Sequence, residues 1–126
     1  MAAEEDQKKS TQVTDPLLLS EEKLEHGWRL HLQVPRDLYY FQGHFTGTPV
    51  VAGVCQLKWV VDFIARYWGR RVALSAMEAV KFHQLLLPEQ KFHIEIKSRD
   101  ERKWSYRITR DTDKIASGRI VDGAQA

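Results

Sequence analysis

Gly43-His44-Phe45-Thr46-Gly47-Thr48-Pro49-Val50-Val51-Ala52-Gly53-Val54 is the stretch on which the reading of this chain turns. A histidine stands between Gly43 and Phe45 in a loop crowded with glycine and closed by Pro49. Loops held on a rigid scaffold are where reactive groups collect. The loop runs into a helix. Val54, Leu57, Val61, Ile64 and Trp68 recur at three- and four-residue spacing, which predicts a helix from Gly53 to Trp68 with Gly69 as its stop. Trp59, Val60 and Phe63 carry apolar character around most of its circumference, the pattern of a buried helix. The first backbone N–H groups of a helix have no intrahelical acceptor. Those of Gly53 and Val54 point outward and suit a polarised carbonyl oxygen. With His44 they offer a proton acceptor beside an oxyanion site.

Outward from this stretch, the chain alternates. Leu17-Leu18-Leu19 opens the ordered region, and Gly27 to Val34 has strand period up to Pro35. Leu38-Tyr39-Tyr40-Phe41 is a short aromatic segment leading into the loop. Beyond the helix, Ala76 to Phe82, Lys91 to Lys97, Trp104 to Arg110 and Ile115 to Val121 read as strands joined by short polar turns. The expected order is strand, loop, buried helix, then four strands. That is an α+β fold in which one antiparallel sheet curls around one long helix. The domain is expected over residues 16–122, between a charged flexible tail at 1–15 and a short tail at 123–126.

Composition narrows the function classes. The chain has 126 residues, which fits one domain, with 43% hydrophobic and 29% charged residues. A core of this size is feasible but small, and oligomerisation would bury more surface. The formal net charge is +2, too mild to argue for nucleic-acid binding. The tail carries −2, leaving +4 on the folded part. One cysteine, Cys55, excludes an intrachain disulfide and a cysteine-based zinc site. Apolar runs fall far short of the ~18–20 residues that span a bilayer. No signal peptide is visible, so the expected compartment is the cytoplasm.

Gly43-His44-Phe45-x-Gly47-x-Pro49-Val50-x-x-Gly53-Val54 followed by an apolar helix resembles the signature of the hotdog-fold β-hydroxyacyl-acyl-carrier-protein dehydratases. Val34-Pro35-x-Asp37-Leu38-x-Tyr40-Phe41, Gln56-Leu57-x-Trp59, Val80-Lys81-Phe82 and Leu87-Pro88 extend the likeness. These are most similar to the small dehydratase of bacterial aryl-polyene gene clusters. The resemblance covers Leu17 to Val121 and implies a hotdog fold assembled at least as a dimer. It implies dehydration of a 3-hydroxyacyl thioester on an acyl carrier protein to the trans-2-enoyl thioester, with no cofactor and no metal. It makes His44 the base and the N–H groups of Gly53 and Val54 the oxyanion donors. The family's acid is a carboxylate in the central helix of the neighbouring subunit, fourteen residues after the histidine. This chain has Lys58 there.

Three readings of Lys58 stand side by side. It begins a charge ladder with Asp62 and Arg66 at four-residue spacing. It is a substitute acid whose pKa is lowered by an apolar tunnel. Or the chain works beside an unlike hotdog subunit that brings the carboxylate. Two further functions are a degenerate subunit supporting an active partner and an acyl thioesterase. The latter normally needs a carboxylate to activate water, and none is obvious near His44. Tyr40, Phe41 and Phe45 are expected to line the substrate site. Cys55 reads as a small buried hydrophobe. Arg66, Arg70 and Arg71 cluster near the helix end, where they suit an acidic carrier or solvent equally. His26, His31, His83 and His93 lie on or beside strands without metal-ligand spacing.

Overall fold

Period-two alternation makes a strand wherever one face of the chain meets apolar surface. The computed structural model describes residues 13–38 and 50–123. Within them the elements are β1 (Leu17–Leu24), β2 (Gly27–Gln33), α1 (Gly53–Trp68), β3 (Leu74–Phe82), β4 (Lys91–Asp100), β5 (Lys103–Arg110) and β6 (Asp113–Asp122). All strands join one antiparallel sheet in the order β1-β2-β4-β5-β6-β3. The helix packs on one face of it. This is the hotdog architecture that the resemblance implied.

Sequence reasoning found five strands; β1 is the sixth. It was missed because it is an edge strand with little to bury: six of its eight residues are exposed, so Leu17 to Leu24 shows no clean alternation. Its ladder to β2 runs from Leu17 opposite Gln33 to Leu24 opposite Gly27, with an irregularity at Leu19.

The core forms where α1 meets the inner faces of β2, β4, β5 and β6. Leu30, Leu32, Phe92, Ile94, Ile96, Trp104, Ile108, Ile115 and Ile120 are buried there. Trp59 of α1 stacks on Phe92 with ring centroids 6.0 Å apart. Its indole N–H donates to the Thr14 carbonyl, fastening the chain before β1 to the helix. Trp68 meets Trp104 edge-on.

The helix has the bounds that its periodicity predicted, and its exposure corrects the expectation of burial. Cys55, Gln56, Trp59, Val60, Phe63 and Ile64 face the core. Of the seam Val54, Leu57, Val61, Ile64 and Trp68, only Ile64 is fully buried, and Val54 is 76% exposed. An apolar circumference therefore supplies two faces, one packed against the sheet and one only partly covered, with Leu57, Val61 and Trp68 at the margin of the core. Gly69 ends the helix in the left-handed conformation, its N–H donating to the Ala65 carbonyl.

Candidate active site

The helix start is held from behind. The Val51 N–H donates to the Leu86 carbonyl, and the buried Gln56 side chain donates back to the Val51 carbonyl over 3.1 Å. Ala52 occupies the cap position in extended backbone with no side-chain cap, and the first turn holds no acid. The Cys55 and Gln56 N–H groups both donate to the Ala52 carbonyl. Those of Gly53 and Val54 precede the first bond of the helix ladder and have no acceptor within it. The positive end of the helix dipole is therefore uncompensated by any described side chain of the helix.

Gly53 has a packing reason as well. A Cβ there would stand 2.6 Å from the Phe82 ring, so the ring of β3 occupies the space beside the Gly53 Cα. Phe82 is half exposed. Gln56 Oε1 is buried without a partner among the described residues, a state that buried polar atoms rarely adopt. Neither residue was assigned a role from sequence. Both stood in the motifs quoted above, but a contact between residues 53 and 82 leaves no mark in a single sequence.

Lys58 lies on the partly covered face, 47% exposed, with its ammonium 2.7 Å from the Asp62 carboxylate. The first rung of the charge ladder is thus formed. Arg66 lies over the Tyr67 ring at 5.4 Å. Around Lys58, a groove of about 270 Å³ is walled by Val54, Leu57 and Val61 of α1 and by Leu74 and Met77 of β3. Cys55 is buried, and burial pushes its thiol up to about 11, so it is a packing residue rather than a nucleophile. Arg70 is engaged structurally: it donates to the buried Asp122 carboxylate and to the Glu101 carbonyl. His31 and His93, opposite each other on β2 and β4, stack with centroids 4.5 Å apart on the outer sheet face. No group of three or more metal-ligating side chains occurs among the described residues. The expectations placed on His44, Tyr40, Phe41 and Phe45 fall outside the described residues.

A larger groove, of about 560 Å³, lies elsewhere, on the outer sheet face. Lys81, Lys97, Arg99, Arg107, Lys114 and Arg119 line it. Glu95 sits among them, paired with Lys97 and Arg107, and Glu78 pairs with Lys103 and Arg119.

A family model described as ApeI-like, ApeI dehydratase, matches residues 20–119. Among solved structures, the dehydratase heterocomplex ApeI:P from Xenorhabdus doucetiae superposes with a TM-score of 0.77 at 25% identity, over 85% of this chain and 96% of that one. An uncharacterized protein from Erwinia carotovora subsp. atroseptica is 31% identical over 84% of this chain and 94% of its own, with a TM-score of 0.67. The dehydratase domain of a mycocerosic acid synthase-like polyketide synthase shares the fold at 14% identity and a TM-score of 0.63, over 87% of this chain and 40% of that one. A search of curated proteins finds no match. Among the described residues, no helix is long and apolar enough to cross a membrane.

Proposed function

The chain belongs to the ApeI-like dehydratase family, and from that premise we propose that it acts as one subunit of a heteromeric dehydratase. Its substrate is a 3-hydroxyacyl thioester carried by an acyl carrier protein. His44 removes the C2 proton, and the thioester oxygen takes the resulting charge against the Gly53 and Val54 N–H groups. The charge returns to form the C2–C3 double bond. The C3 hydroxyl leaves as water, taking a proton from an acid contributed by the other subunit. The single, buried thiol fits a reducing compartment, and the cytoplasm is the proposed location.

The observation that carries this reading is the setting of Lys58. It lies in an apolar groove between α1 and the edge strand β3, where Val54, Leu74 and Met77 are exposed. Exposed apolar surface of this kind marks a contact surface. The face that asks for a second subunit is the face that lacks the family's carboxylate. An unlike subunit, as in the ApeI:P heterocomplex, would cover the one and supply the other. The Lys58–Asp62 pair favours a structural lysine over a substitute acid.

The test is to assay 3-hydroxyacyl-carrier-protein with the purified chain, alone and with a related hotdog subunit. The expected result is enoyl product only with the pair. His44→Ala is expected to cost about 10²–10⁴-fold, and Lys58→Ala to leave the rate of the pair within about threefold, the effect of an exposed ion pair. Equal turnover by the chain alone sinks the partnership. Release of free acid in place of the enoyl product identifies a thioesterase.

The outer groove supports an acidic carrier as partner. It gathers six cations around one carboxylate, a balance of charge that attracts an acidic partner. Raising ionic strength from about 0.05 M to about 0.5 M shortens the Debye length to a few ångströms. That change is expected to raise KM several-fold for the carrier-bound substrate and to leave the pantetheine thioester unaffected. Equal salt dependence for the two would remove the carrier from this groove.

A further inference from the structure

The strand that carries Phe82 changes phase partway along. In the β3–β6 ladder Glu78 lies opposite Arg119 and Lys81 opposite Ser117, so β3 spends one more residue than its partner. That residue marks a β-bulge, and Ala79 within it has a φ of 53°. Glu78 and Ala79 both face outward: Glu78 pairs with Lys103 and Arg119, and Ala79 lines the cationic groove. Met77 before the bulge faces α1. Unbroken alternation from Met77 would turn Lys81 inward and Phe82 outward. The bulge reverses this, so that Lys81 joins the cationic groove and the Phe82 ring comes down on Gly53.

A Cα–Cβ bond in a helix tilts toward the N-terminus. The ring that fills the Gly53 Cβ space therefore stands at the end of α1 toward which its first N–H groups point. A carbonyl oxygen held by the Gly53 N–H sits about 2.9 Å away. Two further bonds, of about 1.2 Å and 1.5 Å, lead to C2 of the acyl chain. The substituents on C2 thus reach the neighbourhood of the ring. We infer that Phe82 is a specificity-determining residue, a wall that excludes 3-hydroxyacyl thioesters branched at C2. The inference rests on the dehydratase reading above.

The experiment compares kcat/KM for a 3-hydroxyacyl and a 2-methyl-3-hydroxyacyl thioester of equal length on the same carrier. It uses the chain with its partner subunit. The wild type is expected to favour the unbranched substrate by about tenfold or more, the range a misfitted methyl group commands. Phe82→Ala is expected to shift the ratio toward the branched substrate by about 10–100-fold. Phe82→Leu, which keeps an apolar side chain on β3, shifts it the same way by less. A structural role alone lowers both rates together and leaves the ratio where it was. An unchanged ratio in folded Phe82→Leu overturns the inference, whether or not Phe82→Ala folds. Failure of the wild-type pair to dehydrate either substrate overturns the dehydratase reading, and this inference with it.

Discussion

His93 shows how much a single buried edge can matter. Its imidazole is held below the usual histidine range, first by burial and then by His31 and Arg29, with Asp111 opposing. Its Nδ1 is buried without a partner among the described residues. A depressed histidine pKa means that the unfolded chain takes up the proton first as pH falls. The neutral ring therefore stabilises the fold above about pH 6.5, the ordinary value, and that contribution is lost as pH drops toward the folded pKa. Urea unfolding between pH 7.5 and pH 5 (on the order of one histidine's range) is expected to show stability falling with pH, with a shallower fall in His93→Gln. At the same scale Gly53 was legible as a helix start, but its close contact was not. The Phe82 ring that would have to shift for a Cβ lies twenty-nine positions along the chain.

At the scale of the element, α1 and β3 divide what sequence can and cannot say. The period of α1 is local, so its bounds from Gly53 to Trp68 and its glycine stop were readable. Which of its apolar residues meet the sheet depends on neighbours, and of the seam Val54, Leu57 and Val61 the first proved exposed and the other two only partly buried. The bulge in β3 is likewise silent in sequence, because Ala79 is an ordinary strand residue in an unusual conformation. A non-glycine residue in the left-handed region carries roughly 1–2 kcal/mol of strain. Ala79→Gly is expected to raise stability by about 1 kcal/mol in urea titrations. Ala79→Val should lower it. A fall with glycine would show that the bulge is not the source of the strain.

Among the described residues, the whole is a sheet with two edges and a helix on one side. β1 and β3 each pair on one side only among the described residues. β1 is rich in charge, which discourages further pairing, whereas β3 presents Leu74 and Met77 beside the partly covered face of α1. Met77→Glu introduces a charge on a half-exposed side chain. It is expected to change the stability of the isolated chain by no more than about 0.5 kcal/mol. Association with a second hotdog subunit is expected to weaken by at least tenfold, as measured by sedimentation. Unaltered association would move the interface to another face. The formal charge also changes meaning at this scale. A near-neutral chain concentrates six cations from four strands into one groove.

The sequence by itself determined the helix with its start, five of the six described strands and the α+β class. Each of these is written in local periodicity or in one contiguous motif, and hydrophobic patterning over a few residues is enough to specify it. Only the tertiary structure decided which face of α1 is only partly covered, that Lys58 pairs with Asp62 there, that the charges collect on the outer sheet, and that a bulge lays Phe82 on Gly53. Those features depend on packing between segments far apart in the chain, and on one added residue that reverses the two faces of a strand.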